Sequence, residues 1–421
     1  MKNCFSIRNI QFESATLSMK KKHPNCFFSL ETILRTKYFG RDALYMRQKK
    51  IFFSKPIVNI LAYYYLTIYY LLKSLIKKEK RDYYLDLRRY VDLNDMLSHE
   101  LPLTLSVRNY KNSTYKLKDI LFFKYHDYKS LLLRGKANSL ILDILESNDF
   151  EKIITHSRLV DLECLIETEI SKAVRWLKMY EFKSLILIED QEPRTRILIM
   201  AARKLGIEVN VFCHGYIQDP LFITILPLFA DRIFVWDSSQ EKMLMENGLN
   251  KEQVYSFGYP KSIIRKGGQI NSFVLIVMEP VTSLSLNNSD ILNLYKCYVR
   301  EIAKRKKVVV RPHPKEVSSA IIFNSLGNIE NVEISNSELA SDLLSSSCVI
   351  GSNSSVLVEA LYYGKNSFQI GELAKFTFPG VKKISLSNIK DLELDSISSE
   401  EFESYIDLRR KVQTLIKKGL I

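Results

Sequence analysis

At 421 residues, the chain is too long for one ordinary hydrophobic core, so two or three domains are expected. Its 46% hydrophobic and 26% charged residues are typical of a globular protein and exclude a disordered or fibrous chain. The formal net charge is +14, and residues 1–150 carry +13 of it, from 27 Lys and Arg against 14 Asp and Glu. Such a basic region points to a polyanion, either nucleic acid or an anionic membrane surface.

The six cysteines form no C-x-x-C pair, and most lie in apolar runs. This pattern argues against a zinc site and favours reduced thiols in the cytosol. The first 25 residues mix charged and polar side chains without an apolar core, so no cleavable signal peptide is expected.

Residues 1–80 read as a basic, aromatic N-terminal extension. Its segment 47–81 holds nine basic residues and one acid, a balance of +8. Within it, residues 57–76 place Ile, Leu and Tyr on one helical face and Asn, Thr and Ser on the other, which predicts an amphipathic helix. This helix could pack on the protein's own core, lie in a membrane interface or, least in keeping with its polar residues, span a membrane.

Residues 81–265 are assigned to a first domain. Its beginning, residues 81–180, reads as mostly helical because Leu and Ile recur at helical spacing. From residue 183 the pattern changes to strands that alternate with helices. The predicted strands are 184–188, 208–213, 232–236 and 254–257.

A polar stretch with paired glycines, residues 261–272, reads as a linker to a second domain, residues 272–398. This domain also alternates strands and helices, and residues 399–421 are assigned to a C-terminal helix. Alternation of this kind predicts α/β domains with doubly wound parallel sheets. Two Rossmann-like domains facing a cleft are therefore expected. The predicted strands of the second domain are 273–278, 308–311, 332–334, 348–350 and 367–370.

Three acids follow the first strand of the alternating series directly: Glu189, Asp190 and Glu192. At the carboxyl end of a strand they are suited to general-base chemistry, and crowding of like charges would raise the pKa of one of them. The alternative is a set of solvated acids that the N-terminus of the next helix favours. His214 and Gly215 end the next strand, where a glycine could let a ligand approach the backbone.

In the second domain, Arg311, His313 and Pro314 follow one strand, and Ser354 and Ser355 follow another. Ligands of open parallel sheets bind at the carboxyl ends of the strands. Basic side chains, hydroxyl groups and the N-terminus of the following helix together suit a phosphate. The pattern therefore predicts a cradle for a nucleotide phosphate.

Glu359 lies one helical turn after Ser355, on the same face of the predicted helix. Its carboxylate could accept hydrogen bonds from a ribose diol, or it could be an ordinary acid in the first turn.

Several signatures are absent from the sequence. There is no P-loop and no G-x-G-x-x-G fingerprint. There is also no D-x-D motif, the pair of carboxylates that usually binds the metal ion of a nucleotide diphosphate. We therefore expect neither a metal site nor a cofactor, with protein donors alone stabilising the leaving phosphate.

Three motifs in order resemble those of bacterial GT-B glycosyltransferases of capsule and lipopolysaccharide assembly, including sialyl-, polysialyl- and Kdo-transferases. They are an acidic pair (Glu189-Asp190), a His-Pro pair (His313-Pro314) and a Ser pair (Ser354-Ser355). Gln191 stands where that family has Gly, which leaves open which acid is the base. The resemblance covers residues 180–375.

The resemblance implies an inverting, metal-independent glycosyltransferase that moves a sugar, typically from a CMP-sugar and so a sialic acid or related acidic sugar. Glu189 would be the first choice of base, followed by Asp190 and Glu192, and His313 would stabilise the departing phosphate. The acceptor would be a surface polysaccharide or a lipid-linked oligosaccharide. With the basic extension, this predicts a cytoplasmic enzyme docked on an anionic membrane surface, the inner face of the cytoplasmic membrane, and no nucleic-acid partner.

Two other functions remain open at this point. A non-hydrolysing nucleotide-sugar 2-epimerase has the same two-domain fold but would not need the basic extension. A nucleic-acid-binding protein would use the basic region, would show salt-dependent binding, and would leave residues 180–375 without a role.

Overall fold

The computed structural model describes the protein as two compact units. Unit 1 comprises Met1–Ile217, Leu221–Lys261 and Leu408–Ile421, and unit 2 comprises Gln218–Pro220 and Ser262–Asp407. The residues that the structure describes are 2–38, 82–87, 91–101, 104–106, 140, 144, 149–213, 215–217, 225–261, 273–279, 288–313, 319–326, 328–375, 377–394 and 408–421.

Unit 1 contains a six-stranded sheet in the order β2-β1-β3-β4-β5-β6, and every neighbouring pair is parallel. The strands predicted at 184–188, 208–213, 232–236 and 254–257 correspond to β3 to β6. The strand bounds are β1 (Tyr83–Asp86), β2 (Thr104–Ser106), β3 (Ser184–Leu187), β4 (Glu208–Phe212), β5 (Arg232–Val235) and β6 (Val254–Ser256).

Two strands of this sheet lie in a segment that the sequence predicted to be mostly helical. β1 has four residues and β2 has three, which is too short to show a period of two in the sequence. β1 is a strand because β3 lies beside it, with Tyr83 opposite Ser184 and Asp86 opposite Leu187. Tertiary pairing therefore decides the conformation here.

The helices of unit 1 include two formed by the N-terminal residues, which the sequence analysis assigned to an extension. Phe12, Cys26 and Phe27 on these helices are fully buried in the core of unit 1. The bounds are α1 (Lys2–Lys22), α2 (Pro24–Tyr38), α3 (Val91–Glu100), α4 (Phe150–Ile154), α5 (Leu159–Tyr180), α6 (Pro193–Lys204) and α7 (Ser238–Glu246), with α12 (Leu408–Lys417) from the C-terminal segment. The predicted amphipathic helix 57–76 lies outside the described residues.

Unit 2 contains a second six-stranded parallel sheet in the order β12-β11-β10-β7-β8-β9. Counted from its own first strand, this is the Rossmann order 3-2-1-4-5-6 read from the other edge. The strands are β7 (Phe273–Val277), β8 (Val308–Arg311), β9 (Val332–Ile334), β10 (Ser346–Gly351), β11 (Asn366–Ile370) and β12 (Lys382–Ile384), and the helices are α8 (Asn288–Ala303), α9 (Ser319–Leu326), α10 (Leu339–Ser345) and α11 (Val356–Tyr362).

The two sheets confirm the prediction of α/β units with doubly wound parallel sheets. The central strands are buried on both faces, as β3, with four buried residues, and β10, with six, illustrate. Of the helices that the structure describes, none has the length and apolar character needed to cross a membrane.

Candidate functional site

The strand orders determine where a ligand can approach each sheet. In a doubly wound sheet, ligands bind in a crevice at the carboxyl ends of the two adjacent strands at which the strand order reverses, the topological switch point. That point falls between β1 and β3 in unit 1 and between β7 and β10 in unit 2. The predicted acidic motif follows β3, and the predicted serine motif follows β10. Both motifs therefore lie beside a switch point.

Glu189 lies at the carboxyl end of β3, and its carboxylate binds the start of α6. Oε2 accepts hydrogen bonds from the backbone N–H groups of Gln191 (2.9 Å) and Glu192 (2.8 Å). Oε1 accepts one from the Thr195 hydroxyl at 2.5 Å. Glu189 is partly exposed, and these donors hold its carboxylate in one orientation.

Asp190 points the other way, into the core of unit 1, where it is 2% exposed. Its Oδ2 accepts hydrogen bonds from the backbone N–H groups of Phe229 (2.7 Å) and Ala230 (3.3 Å). Burial raises the pKa of Asp190, against the lowering effect of Arg196 and of these two hydrogen bonds. Asp190 therefore fastens the turn after β3 to the segment before β5.

A buried arginine on α6 completes this fastening. Arg196 is 1% exposed, and its Nε donates to the carbonyl of Asp190 at 2.9 Å. Its Nη1 donates to the carbonyl of Phe28 and to Oε2 of Glu31, both at 3.1 Å and both on α2. Its guanidinium lies 4.1 Å from the centre of the Phe229 ring. Burial lowers the pKa of Arg196, and the nearby carboxylates of Asp190 and Glu31 oppose this.

The ion pairs continue from α2 into α1. Glu31 also accepts hydrogen bonds from Arg35 (3.1 and 2.9 Å), and Arg35 in turn reaches Glu13 at 2.8 Å. Arg35 and Glu31 are each 2% exposed. Buried charges are tolerated only when they are paired and hydrogen-bonded. The N-terminal helices therefore brace the acidic turn through a chain of paired charges.

Glu192 is the residue immediately before α6 and is partly exposed. Its side chain makes no capping hydrogen bond to the helix. Of the three predicted acids, Glu189 and Glu192 are thus partly accessible, whereas Asp190 is enclosed. His214 itself lies outside the described residues.

The residues on either side of His214 are described. Burial raises the pKa of the Cys213 thiol to about 12, so this cysteine is no nucleophile at neutral pH. Its Sγ donates to the carbonyl of Gly215 at 3.0 Å. A Cβ added at Gly215 would meet no described atom within 4 Å. Packing against described residues therefore gives no reason for a glycine at this position.

Arg311 ends β8 in unit 2, and its guanidinium is turned towards the segment before α10. Nη1 donates to Oδ2 of Asp342 at 2.6 Å, to the carbonyl of Ser337 at 2.7 Å and to Oγ of Ser335 at 3.3 Å. The Asp342 side chain is 6% exposed, so this is a largely enclosed ion pair. The contacts seen here hold the end of β8.

His313 lies two residues beyond the end of β8 and is partly exposed. Val277 of β7 is opposite both Arg311 of β8 and Gly351 of β10. The turns after β8 and β10 therefore flank the end of β7 at one edge of the sheet. Pro314 lies outside the described residues.

Ser354 and Ser355 occupy the turn between β10 and α11, and both are partly exposed. The Ser354 hydroxyl accepts a hydrogen bond from the backbone N–H of Val356 at 3.3 Å, and the Ser355 side chain makes no cap to α11. Glu359 is 7% exposed and lies on α11. Such burial leaves little of Glu359 for a ribose to contact.

Gly351, which precedes this turn, is needed for packing. A Cβ at this position would lie 2.6 Å from Cγ2 of Val277 and 3.0 Å from its carbonyl oxygen. The glycine therefore allows β10 to approach β7 closely where both strands end.

Sequence reasoning missed one acid, Glu279, two residues after β7. It is partly exposed at the switch point of unit 2. Burial raises its pKa, while Lys375 and hydrogen bonds from Asn353 and Ser352 lower it. Its position was the only signal in the sequence that could have marked it as a site residue. Glu279 lies two residues beyond an apolar strand, as Glu189 does. Within the described residues, no group of three or more His, Cys, Asp or Glu side chains could hold a metal ion.

Comparisons with known proteins show similarity at the level of the fold. No family model matches the chain, and no curated protein matches it. Among solved structures, a putative UDP-N-acetylglucosamine 2-epimerase from Listeria monocytogenes has a TM-score of 0.51 at 11% identity, covering 82% of this chain and 97% of that one. The UDP-GlcNAc 2-epimerase from Neisseria meningitidis bound to UDP-GlcNAc has a TM-score of 0.48 at 11% identity, covering 81% and 99%.

A glycosyltransferase also occurs among the similar structures. The lipopolysaccharide outer core galactosyltransferase WaaB has a TM-score of 0.38 at 13% identity, covering 68% of this chain and 96% of that one. With the two parallel sheets, the likeness to the Listeria protein confirms the predicted fold class, which is α/β and GT-B-like. At such identities the likeness establishes the fold alone.

Proposed function

We propose that the protein is a glycosyltransferase that takes its sugar from a nucleotide-sugar donor bound at the carboxyl edge of unit 2. The observation that carries this proposal is the pair of turns beside the end of β7. One holds the partly exposed His313, and the other holds Ser354 and Ser355, both of which are partly exposed. A histidine and two hydroxyls at a switch point suit an anionic phosphate.

Within this proposal the three residues bind and stabilise the departing phosphate. Ser354 and Ser355 donate hydrogen bonds to it, and His313 supplies charge or a proton as the bond between the sugar and the phosphate breaks. Arg311, the other basic residue predicted to bind the donor, is paired with Asp342. Its pairing with Asp342 supports a role in holding the end of β8.

The base is assigned to the acidic turn of unit 1, with Glu189 as the first choice. A base must be both accessible and held in place. Glu189 meets both requirements, and Glu192 meets the first. The burial of Asp190 argues for ranking it behind Glu192.

The proposed reaction is a single displacement. The acceptor hydroxyl loses its proton to the base, its oxygen bonds to the anomeric carbon, and the bond from that carbon to the phosphate oxygen breaks. The configuration at the anomeric carbon is thereby inverted. We further propose that the donor is a CMP-linked acidic sugar and that the acceptor is a surface polysaccharide or a lipid-linked oligosaccharide. The reaction would need no cofactor or metal, and the enzyme would act at the cytoplasmic face of the membrane.

Epimerisation of a nucleotide sugar is the second candidate, because the Listeria protein that shares the fold is named a putative UDP-N-acetylglucosamine 2-epimerase. The two reactions differ in what they need. An epimerase converts the nucleotide sugar to its isomer without any acceptor. A transferase releases the nucleotide only when an acceptor takes the sugar.

The test is a calorimetric binding screen of CMP-, UDP- and GDP-sugars against the full chain, followed by product analysis with and without a polysaccharide acceptor. We expect one nucleotide class to bind, and His313→Ala to lower the rate of transfer about 100-fold by removing a preorganised donor. His99→Ala is the matched control, since the His99 side chain is 80% exposed and lies in unit 1. No nucleotide binding would overturn the proposal, and an isomer formed without acceptor would replace it with epimerisation.

A further inference from the structure

The N-terminal helix α2 is an internal layer of unit 1. It packs against α5 and α6, and its Leu30 and Leu34 are fully buried in the core of the unit. Its first residues are fixed by Glu163 on α5, whose carboxylate accepts hydrogen bonds from the backbone N–H groups of Asn25 (3.0 Å) and Cys26 (2.7 Å). What α2 holds in place is therefore part of unit 1 itself.

Glu31 is the point at which α2 reaches the acidic turn. Its carboxylate accepts hydrogen bonds from two arginines, from Arg35 through Oε1 and from Arg196 through Oε2. All three side chains are at most 2% exposed. The same Arg196 guanidinium donates through Nε to the backbone carbonyl of Asp190 at 2.9 Å. One buried guanidinium thus connects the Glu31 carboxylate to the backbone of the turn.

The Glu189 carboxylate is held by the same stretch of α6. Thr195, the neighbour of Arg196 in the chain, is 1% exposed, and its hydroxyl donates to Oε1 of Glu189 at 2.5 Å. The backbone N–H of Arg196 donates to the carbonyl of Glu192 at 3.0 Å. The position of Arg196 therefore affects both the backbone that follows Glu189 and the first turn of α6, which supplies the hydroxyl donor.

A charged connection between α2 and the turn has a property that an apolar one lacks. Replacing a buried ion pair by apolar side chains of similar volume is often neutral or stabilising, so stability alone gives little reason for it. Apolar contact is already present, since the Phe28 and Phe229 ring centres are 5.6 Å apart. Hydrogen-bonded charges have direction, and a fully paired network fixes its members. The pairing of Glu31 with Arg196 therefore indicates a need for orientation.

We propose that Glu31 is a positioning residue of the acidic turn. Through Arg196 it holds the Asp190 backbone and the start of α6, and thereby the orientation of the Glu189 carboxylate. The part concerning catalysis rests on the proposed function, in which Glu189 is the base. Because a displacement of about 1 Å in a reacting group can slow a reaction about 100-fold, helix α2 then contributes to the rate without contacting the substrate.

The first experiment needs no substrate. Hydrogen–deuterium exchange of the full chain compares wild type with Glu31→Gln in peptides that cover residues 189–196. This change keeps the size of the side chain and removes the charge that Arg196 binds. We expect the amides of Gln191 and Glu192 to exchange about tenfold faster. Arg196→Lys should act alike, because an ammonium group lacks the planar fork that reaches both Glu31 and the turn.

Glu163→Gln is the matched control. It removes the charge of another carboxylate that binds α2, and the hydrogen bonds of that carboxylate go to the start of the helix. We expect this variant to unfold at a lower urea concentration while exchange across residues 189–196 stays as in wild type. If the turn exchanged as fast in Glu163→Gln as in Glu31→Gln, any loosening of α2 would reach it, and the assignment to Glu31 would be wrong.

The second experiment separates donor binding from the chemical step. It uses the sugar of whichever nucleotide, CMP, UDP or GDP, binds in the screen described above. We expect Glu31→Gln to slow single-turnover transfer about tenfold with an unchanged Kd for the donor, and Glu31→Asp, which keeps the charge, to recover part of the rate. A role in stability alone would lower resistance to urea and leave this rate unchanged in the folded protein.

Unchanged exchange in both Glu31→Gln and Arg196→Lys would overturn the proposal. Faster exchange with an unchanged rate would overturn its catalytic part and leave Glu31 as a structural support of the turn. If wild type transfers no sugar, the proposed function fails, and the exchange experiment still decides whether Glu31 positions the turn.

Discussion

The turn after β3 in unit 1 and the turn after β10 in unit 2 connect a buried strand to a helix, yet they are held in different ways. The first is held by buried charges: Asp190 binds two backbone N–H groups, and Arg196 ties it to α2. The second is held by neutral groups: the Asn353 side chain bonds the carbonyl of Leu373 and the backbone N–H of Lys375, and the Ser352 hydroxyl lies 2.9 Å from that of Tyr295. The proposed function accounts for this difference, since it asks for one acid in a fixed orientation in unit 1 and for hydroxyl groups that bind an anion in unit 2.

Replacing the proposed base should have the largest effect on the reaction. Glu189→Gln keeps the size of the side chain but cannot take a proton, so transfer should slow by about 100- to 10,000-fold while donor binding persists. Single-turnover kinetics with calorimetric donor binding separates the two steps. A slow Glu192→Gln enzyme beside a normal Glu189→Gln enzyme would move the base to Glu192 and weaken the contrast between the two turns.

Removing the buried arginine should have the largest effect on stability. Arg196→Met removes one of the two arginines paired with Glu31 and leaves the Asp190 carbonyl without this donor, so the free energy of unfolding should fall by about 3–5 kcal/mol. Lys183→Met is the control, because the Lys183 side chain is 65% exposed in its pair with Asp82 and should cost about 1 kcal/mol or less. Urea denaturation measures both. Equal losses would mean that buried charges do not hold the first turn.

The basic N-terminal region should add a membrane contact that neither turn provides. Each Lys or Arg near an anionic surface contributes about 1 kcal/mol, and the effect fades within a Debye length. We expect the full chain to sediment with liposomes, more with rising anionic lipid and less at high salt. Recovery in the supernatant under every condition would assign residues 57–76 to packing within the protein.

Chelation should have the smallest effect. If hydroxyls and His313 alone stabilise the leaving phosphate, EDTA should leave the rate of transfer unchanged. Loss of activity that Mg²⁺ or Mn²⁺ restores would show that the turn in unit 2 acts together with a cation.

Much of the fold could be predicted because apolar strands and amphipathic helices alternate clearly from residue 183 onwards. Strand β3 was predicted from an apolar run that ends at acids, and β10 from its apolar residues 348–350, although it begins two residues earlier with Ser346. The strands β1 (YYLD) and β2 (TLS) were not predicted, since they are short, mix polar with apolar residues and depend on a neighbouring strand. The packing of α1 and α2 was likewise hidden, because a basic, aromatic composition does not reveal which face is buried.

The sequence by itself determined which residue types end the strands, and hence that acids follow β3 while a histidine and two serines follow β8 and β10. Only the tertiary structure decided what each residue does there. Asp190 and Glu189 are adjacent in sequence, yet one is enclosed by the segment at 229–230 and the other binds the start of α6. The Asn353 side chain binds the carbonyl of Leu373 and the backbone N–H of Lys375, 20 and 22 positions further along the chain. Burial and hydrogen bonding depend on these distant neighbours, and residue order does not specify them.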